Sequence, residues 1–218
     1  MIAAYRNVIM IVVALLLAAE LTWAATLAAA AQPPRERAPI SIAVIGDQNT
    51  AGFNNREVWP TLLAARTGWS VSNYALHEAG FAADGTGGQA YVYQVERAQA
   101  AHPRIILFAT GTADAALNES EAIMIGAMDA LTKAIRGGQQ VAVVGPIWYA
   151  TPIPDSIQRL NDAVQKVAEV AGAPFLNGID PPMLSKKLMH PDLSAPNDAG
   201  QSVIADRIAA WLQSQVLR

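Results

Sequence analysis

The chain has 218 residues, 52% apolar and 15% charged, with a formal net charge of −3. It contains no cysteine, which excludes disulfides, thiolate metal sites and a cysteine nucleophile. No block of like charge supplies the clustered basic face that nucleic-acid binding needs, so no nucleic-acid partner is expected.

Residues 8–31 are apolar except for Glu20, Thr22 and Thr26; Arg6 precedes them, and Pro33, Pro34 and Arg35-Glu36-Arg37 follow. Residues 8–19 have the length of a signal-peptide core, and Ala28–Ala31 offer small residues for cleavage. Read as one helix, residues 8–31 also suffice to cross a bilayer, for which about 20 residues are enough. Glu20 counts against a stable span, since a central carboxylate costs about 2.5–3.5 kcal/mol on insertion scales. Residues 1–31 are therefore expected to be a signal peptide or a membrane anchor. Both versions orient the rest of the chain outside the cytoplasmic membrane, in the periplasm or cell envelope. A retained helix would present Glu20 to a membrane-protein partner or let it snorkel. Residues 32–39 read as a linker, and residues 40–218 as one domain of ordinary size.

Within that domain, residues 40–45 form a short apolar β-branched run ending at Gly46-Asp47, which predicts a buried strand. A helix over 59–66 follows, with Pro60 in its first turn and Gly68 as its stop. Residues 71–75 predict a second strand, and the glycine-rich stretch 77–89 a loop. Residues 91–101 have helical spacing, and 104–110 are the clearest buried strand. Then come a helix over 119–136, a strand over 141–144, a helix over 154–170, a brief strand at 175–176 and a last helix over 197–217. Asn197 or Asp198 caps that last helix. This alternation predicts a three-layer αβα sandwich around a five-stranded parallel sheet. Active sites in such sheets lie beyond the carboxyl ends of the strands, which directs attention to residues 46–54, 76–88, 110–118, 145–154 and 177–196.

The first strand closes on Val44-Ile45-Gly46-Asp47-Gln48-Asn49-Thr50-Ala51-Gly52. Asn73-Tyr74-Ala75 with Ala79-Gly80-Phe81, then Gly111-Thr112-Ala113-Asp114, then His190-Pro191 with Asn197-Asp198-Ala199-Gly200 follow in that order. Together these four blocks resemble those of the SGNH/GDSL hydrolases over residues 40–217. The resemblance implies that family's flavodoxin-like α/β fold. It also implies a site with a serine nucleophile at position 48, oxyanion donors at Gly80 and position 113, and His190 as the base. Three positions depart from the pattern. Gln48 stands at the nucleophile's place, Ala113 at that of an oxyanion-binding asparagine, and Lys187 at that of the aspartate that orients the histidine. Asp47, Asn49 and Asp114 are ordinary for their blocks and are expected at the pocket. Residues 192–196 are an insert between His-Pro and Asn-Asp-Ala-Gly.

Acyl hydrolysis of this kind needs an ionisable nucleophile, a base, a group that orients the base, and oxyanion donors. A glutamine amide cannot form an acyl-enzyme, so a degenerate, non-catalytic site is expected, binding an envelope glycan, an acyl ligand or a protein partner. Two rivals remain. An active esterase, lipase, carbohydrate acyl hydrolase or acyltransferase would use another nucleophile, with Thr50, Ser185, Ser194 and Ser202 as candidates. A structural subunit of a membrane complex would dock through residues 8–31. Asp47, Asp84 and Asp114 are weaker candidates for a glycosidase carboxylate pair. Gly85-Thr86-Gly87-Gly88 neither follows a strand nor opens a helix, so it is a poor nucleotide loop. His77-Glu78 lacks the second histidine of a zinc motif, and with three scattered histidines no metal or cofactor is expected. Phe81, Tyr91, Tyr93 and Trp148 are candidates to line a sugar or lipid cleft, or to be core.

Overall fold

The computed structural model describes residues 22–23, 40–85 and 87–217. The chain divides into two compact units, Met1–Ala38 and Pro39–Arg218. Thr22 and Trp23 are helical. The remainder of the expected leader or anchor, and the linker at 32–39, lie outside the described residues. Among the described residues no helix is long and apolar enough to cross a membrane.

The second unit is the expected sandwich. Its elements are β1 (Ser41–Gly46), α1 (Gln48–Ala51), α2 (Trp59–Thr67), β2 (Ser70–Asn73), α3 (Tyr91–Gln99), β3 (Ile105–Ala109), α4 (Ser120–Arg136), β4 (Gln140–Val144), α5 (Asp155–Val170), β5 (Phe175–Leu176) and α6 (Asp198–Trp211). The strands form one sheet in the order β2-β1-β3-β4-β5, and every pair is parallel. The strand order reverses between β1 and β3, which creates a crevice at their carboxyl ends.

Strands β1, β3 and β4 are almost uniformly apolar because helices cover both faces of the sheet. Side chains alternate between the faces with a period of two. Ala43, Ile45, Ile106, Phe108, Val141 and Val143 pack with the buried stripes of α3, α4 and α5. Ile42, Val44, Ile105, Leu107, Ala142 and Val144 pack on the other face with Trp59 and Leu63 of α2 and Ile204, Ala205 and Ile208 of α6. Strand β2, at the edge, has the polar sequence Ser-Val-Ser-Asn and is mostly exposed.

Three boundaries differ from the sequence expectation. A single helical turn, α1, follows β1, because Asp47 caps it and Gly52, at φ 89°, stops it. β2 ends at Asn73 and not at residue 75, because the Asn73 side chain turns the chain by accepting the Ala75 N–H at 3.1 Å. The last helix gives way at Leu212–Val216 to a wider π turn that still buries Leu212 and Val216.

Phe108 lies at the centre of one core, its ring 5.7 Å from that of Phe81 and 6.4 Å from that of Tyr91. Phe108→Ala is expected to destabilise the domain by about 3–5 kcal/mol, the usual cost of a buried aromatic deletion. Chemical denaturation of the full chain checks this, and a loss under about 1 kcal/mol would contradict the packing described here.

Candidate functional site

The carboxyl ends of β1 and β3 are joined by one buried carboxylate. Asp47, fully shielded from solvent, accepts the Asn49 N–H at 2.9 Å through Oδ1 and the Thr112 N–H at 3.0 Å through Oδ2. The first bond caps α1, and the second fixes the loop after β3. Gly111 has no side chain because a Cβ there would overlap the Asp47 carboxyl group. Burial is the main reason that Asp47 titrates at about 6, against 3.8 ordinarily; its backbone hydrogen bonds oppose the shift and the nearby Asp114 adds to it. Asp114 holds the neighbouring loop in the same way, accepting the N–H groups of Phe81, Ala82 and Ala83 at 2.7, 3.0 and 2.7 Å. Burial raises its pKa as well. Tyr91 is pushed up chiefly by burial and then by these two acids. Its hydroxyl donates to the Ala109 carbonyl and accepts the Gly111 N–H.

Two buried glutamines complete the frame. Gln94 of α3 accepts the Gly46 N–H and donates to the Gly46 carbonyl, both at 3.1 Å. Gln201 of α6 accepts the Trp59 N–H at 2.8 Å and donates to the Asn49 carbonyl at 3.1 Å, tying α6 to α1 and α2.

On this frame Gln48 faces a cleft of about 210 Å³ lined by Gln48, Phe53, His77, Glu78, Ser194 and Ala195. The Gln48 Oε1 accepts the Glu78 N–H at 3.2 Å. Glu78 has φ 59°, a left-handed conformation for which glycine is the ordinary residue. The backbone donor aimed at position 48 therefore belongs to Glu78. Gly80, the donor that the resemblance implied, is buried and gives its N–H to the Ala83 carbonyl at 2.9 Å. Its lack of a side chain has another cause, since a Cβ there would overlap the Asp114 carboxylate.

His190 reaches the same cleft through its neighbours. Its N–H donates to the Ala195 carbonyl, and its carbonyl accepts the Leu193 N–H. The insert at 192–196 is thus a tight turn folded back on His190, closed by a bridge between Met189 and Pro196. The Phe53 ring stands edge-on to both His190 and His77, at 6.3 and 6.5 Å. The His190 Nε2 is buried without a hydrogen-bond partner. Lys187 is exposed, and its carbonyl accepts from Asn197 Nδ2 at 3.0 Å. The acids that sense the imidazole are Asp192 and Asp198. Both are held below the usual carboxylate range, Asp192 first by the Ser194 hydroxyl and Asp198 first by the Arg56 N–H. Ala113, half-buried at the start of a 3-10 turn (Ala113–Ala116), is not among the cleft's walls, and neither are Gly80 and Lys187.

The other candidates are placed as follows. The Thr50 hydroxyl is buried and accepts from the Trp59 indole at 3.3 Å. Ser185 is exposed, and the Ser202 hydroxyl meets Arg66 on the surface. Ser194 lines the cleft, with its hydroxyl donated to Asp192 at 2.7 Å. Asp84 is exposed and accepts the N–H groups of Gly88, Gln89 and Ala90, so it organises the glycine-rich loop apart from Asp47 and Asp114. Phe81 and Tyr91 are core, Tyr93 is on the surface, and Trp148 stacks on Tyr149 at 4.6 Å. Among the described residues no three His, Cys, Asp or Glu side chains converge as a metal site. Sequence reasoning missed Phe53, Glu78, Gln94 and Gln201. The two glutamines carry a usable signal, a polar residue on an otherwise apolar helix face. Phe53 and Glu78 carry none, because only the fold brings their loops together.

Residues 44–203 match the GDSL-like Lipase/Acylhydrolase family. The chain is 23% identical over 192 residues to GDSL lipase Rv0518 of Mycobacterium tuberculosis, covering 81% of this chain and 83% of that one. The psychrotrophic esterase EstA from Pseudoalteromonas sp. superposes with a TM-score of 0.64 at 17% identity, covering 82% of this chain and 100% of the esterase. A GDSL-like lipase from Bacteroides thetaiotaomicron superposes with a TM-score of 0.59 at 16% identity, covering 89% and 97%.

The Asp47 carboxyl group makes stability depend on pH. Its folded pKa, about 6, lies above the ordinary 3.8, so the folded state holds the proton more tightly. The resulting stabilisation is fully present below about pH 4 and is lost as pH rises through about 6. The difference in unfolding free energy between wild type and Asp47→Asn is expected to shift in favour of wild type by up to about 3 kcal/mol on going from pH 7 to pH 4. Denaturation series at several pH values test this. A difference that stays flat with pH would show that Asp47 ionises normally.

Proposed function

Because this chain belongs to the GDSL-like lipase/acylhydrolase family, we propose that it keeps the family's scaffold without its ester chemistry and uses the cleft at Gln48 for binding. One contact carries this reading: the Gln48 carboxamide oxygen on the Glu78 N–H, at 3.2 Å. A carboxamide is not deprotonated by an imidazole at neutral pH, so position 48 supplies no nucleophile. Its oxygen also takes up the backbone donor that a developing oxyanion at that position would need. In a comparable hydrolase, loss of the activated serine costs on the order of 10⁶ in rate, and loss of one oxyanion donor about 10²–10³. The losses do not add, but both act in the same direction.

The surroundings of His190 support the same reading. An active base needs a carboxylate on one ring nitrogen and the nucleophile near the other. Here the Nε2 is buried without a partner, and Lys187 stands where the resemblance puts the orienting aspartate. Arg6 and the apolar run at 8–31 support export, with the domain at the outer face of the cytoplasmic membrane. There the ligand would be an envelope glycan, an acyl ligand or a protein partner. One observation favours a second reading, a working acyl hydrolase. The Ser194 hydroxyl lines the cleft, and a related chain is a GDSL lipase. That hydroxyl is directed at Asp192, whose carboxylate is held low and is therefore a weak base.

Purified wild type is expected to show no turnover of short p-nitrophenyl esters above a heat-treated control and no labelling by a serine-directed phosphonate. Gln48→Ser alone is expected to remain near background, since it restores the nucleophile without the orienting carboxylate. Gln48→Ser with Ala113→Asn and Lys187→Asp is expected to stay near background as well, because neither added position lines the cleft. Wild-type turnover that disappears on His190→Ala or Ser194→Ala would establish the hydrolase reading instead.

A further inference from the structure

The cleft around Gln48 has a composition that neither its scaffold nor its lost chemistry requires. The geometry points to a binding site for one unacylated, hydroxyl-rich ring of a glycan, held against Phe53 by Gln48, His77 and Glu78. This rests on the reading of the cleft as a non-catalytic site and narrows the ligand to a single class.

The first argument is about what the cleft refuses. An ester or thioester ligand is fixed by its carbonyl oxygen, and the backbone donor at this position is the Glu78 N–H. That donor is occupied from within by the Gln48 Oε1. A carbonyl ligand would have to displace the Gln48 oxygen before it could use this donor. A free fatty acid is disfavoured for a further reason. Its carboxylate would enter beside the Glu78 carboxyl group and close to Asp192, which holds Ser194 in the cleft wall. Like charges repel there, and Asp192 keeps its charge to lower pH than an ordinary aspartate.

The second argument is about what the cleft offers. The Gln48 amide turns its oxygen inward, and its Nε2 has no protein partner among the described residues, leaving two N–H donors for a ligand. Glu78 supplies acceptors. His77 supplies a donor and an acceptor on one ring, and the Ser194 oxygen keeps a lone pair after donating to Asp192. Neighbouring hydroxyls of a sugar ring each donate and accept, and such a mixed set satisfies them. A long acyl chain would leave most of these groups unpaired.

The third argument is Phe53. This large apolar side chain is 46% exposed at the cleft. It is held there by a built loop. Its N–H donates to the Asn55 Oδ1 at 2.9 Å, and the Asn55 Nδ2 donates to the Pro196 carbonyl at 3.0 Å and to the Asp198 Oδ1 at 3.2 Å. A half-exposed aromatic fixed among polar groups suits the apolar C–H face of a pyranose. The volume agrees: about 210 Å³ is below the ~300–1,000 Å³ of pockets that enclose drug-sized ligands, so one ring enters and the rest of a chain stays outside.

The full chain, kept in mild detergent, would be titrated by saturation-transfer NMR and calorimetry. The probes are gluco-, manno-, galacto- and arabino-configured tetrasaccharides, their peracetylated counterparts, and octanoate. At least one unmodified tetrasaccharide is expected to bind. Its peracetylated form should bind at least about tenfold more weakly, and octanoate not at all. Phe53→Ala and Gln48→Ala should each weaken binding about tenfold, Phe53→Ala with unchanged melting, since Phe53 belongs to neither core. Binding of octanoate or of a peracetylated form in preference, no binding by any unmodified sugar, or an unchanged affinity in Phe53→Ala would each overturn the proposal. Ester turnover in wild type would overturn the broader non-catalytic reading instead, so the two failures are separable.

Discussion

The site depends on one buried carboxylate. Asp47 sits where β1 ends, shielded from water, and reaches both Asn49 and Thr112. β1 and β3 are the strands between which the sheet order reverses, so this side chain fastens the two lips of the crevice. The loop after β3 must come close enough to be bound, and Gly111 makes that approach possible. Burying an acid is unfavourable unless its oxygens are paired. Two backbone donors only partly offset the burial, which is why the pKa remains near 6. Asp114 repeats the device one loop away, with three backbone donors gathering the Phe81–Ala83 turn.

The residues that hold this scaffold are distinct from those at positions 48, 113 and 187. The residues that hold the crevice together are Asp47, Asp114, Gln94, Gln201 and the cap Asn197, and all make buried or capping hydrogen bonds to backbone. Position 48 makes its one side-chain bond to backbone among the described residues, to the Glu78 N–H, at an exposed rim. It is the first residue of a one-turn helix whose cap is Asp47, so its side chain is free to vary without loosening β1 or α1. Position 187 lies in an exposed turn whose contribution to the fold is a carbonyl. Ala113 opens a 3-10 turn without a side-chain bond. Substitutions at positions 113 and 187 thus cost little stability.

The Glu78 backbone shows the opposite case, a strained feature that persists. A left-handed conformation at a non-glycine residue is unfavourable by about 1–2 kcal/mol, and here it turns an N–H toward the Gln48 side chain. The amide of Gln48 satisfies that donor and bridges the loops after β1 and β2. The Met189–Pro196 turn then brings Ser194 and Ala195 over the same point. The resulting cleft is small, and its walls come from three segments far apart in the chain.

The architecture was legible in the order of residues. Apolar strands with period-two cores, glycine stops and helical spacing identify five parallel strands and their helices, because local periodicity follows directly from which faces are buried. The order of the four blocks also gave the family and marked Gln48, Ala113 and Lys187 as departures from it. Which groups meet depends on how the folded segments come together. The donor opposite Gln48 is the Glu78 N–H and not that of Gly80, since a backbone direction depends on φ and on the Ala83 carbonyl that claims the glycine. Phe53 and Ser194 became part of the cleft, and Phe81 and Tyr91 part of the core, for a related reason. Burial of an individual aromatic or serine is set by contacts between segments distant in sequence, and residue type and local spacing do not encode those contacts.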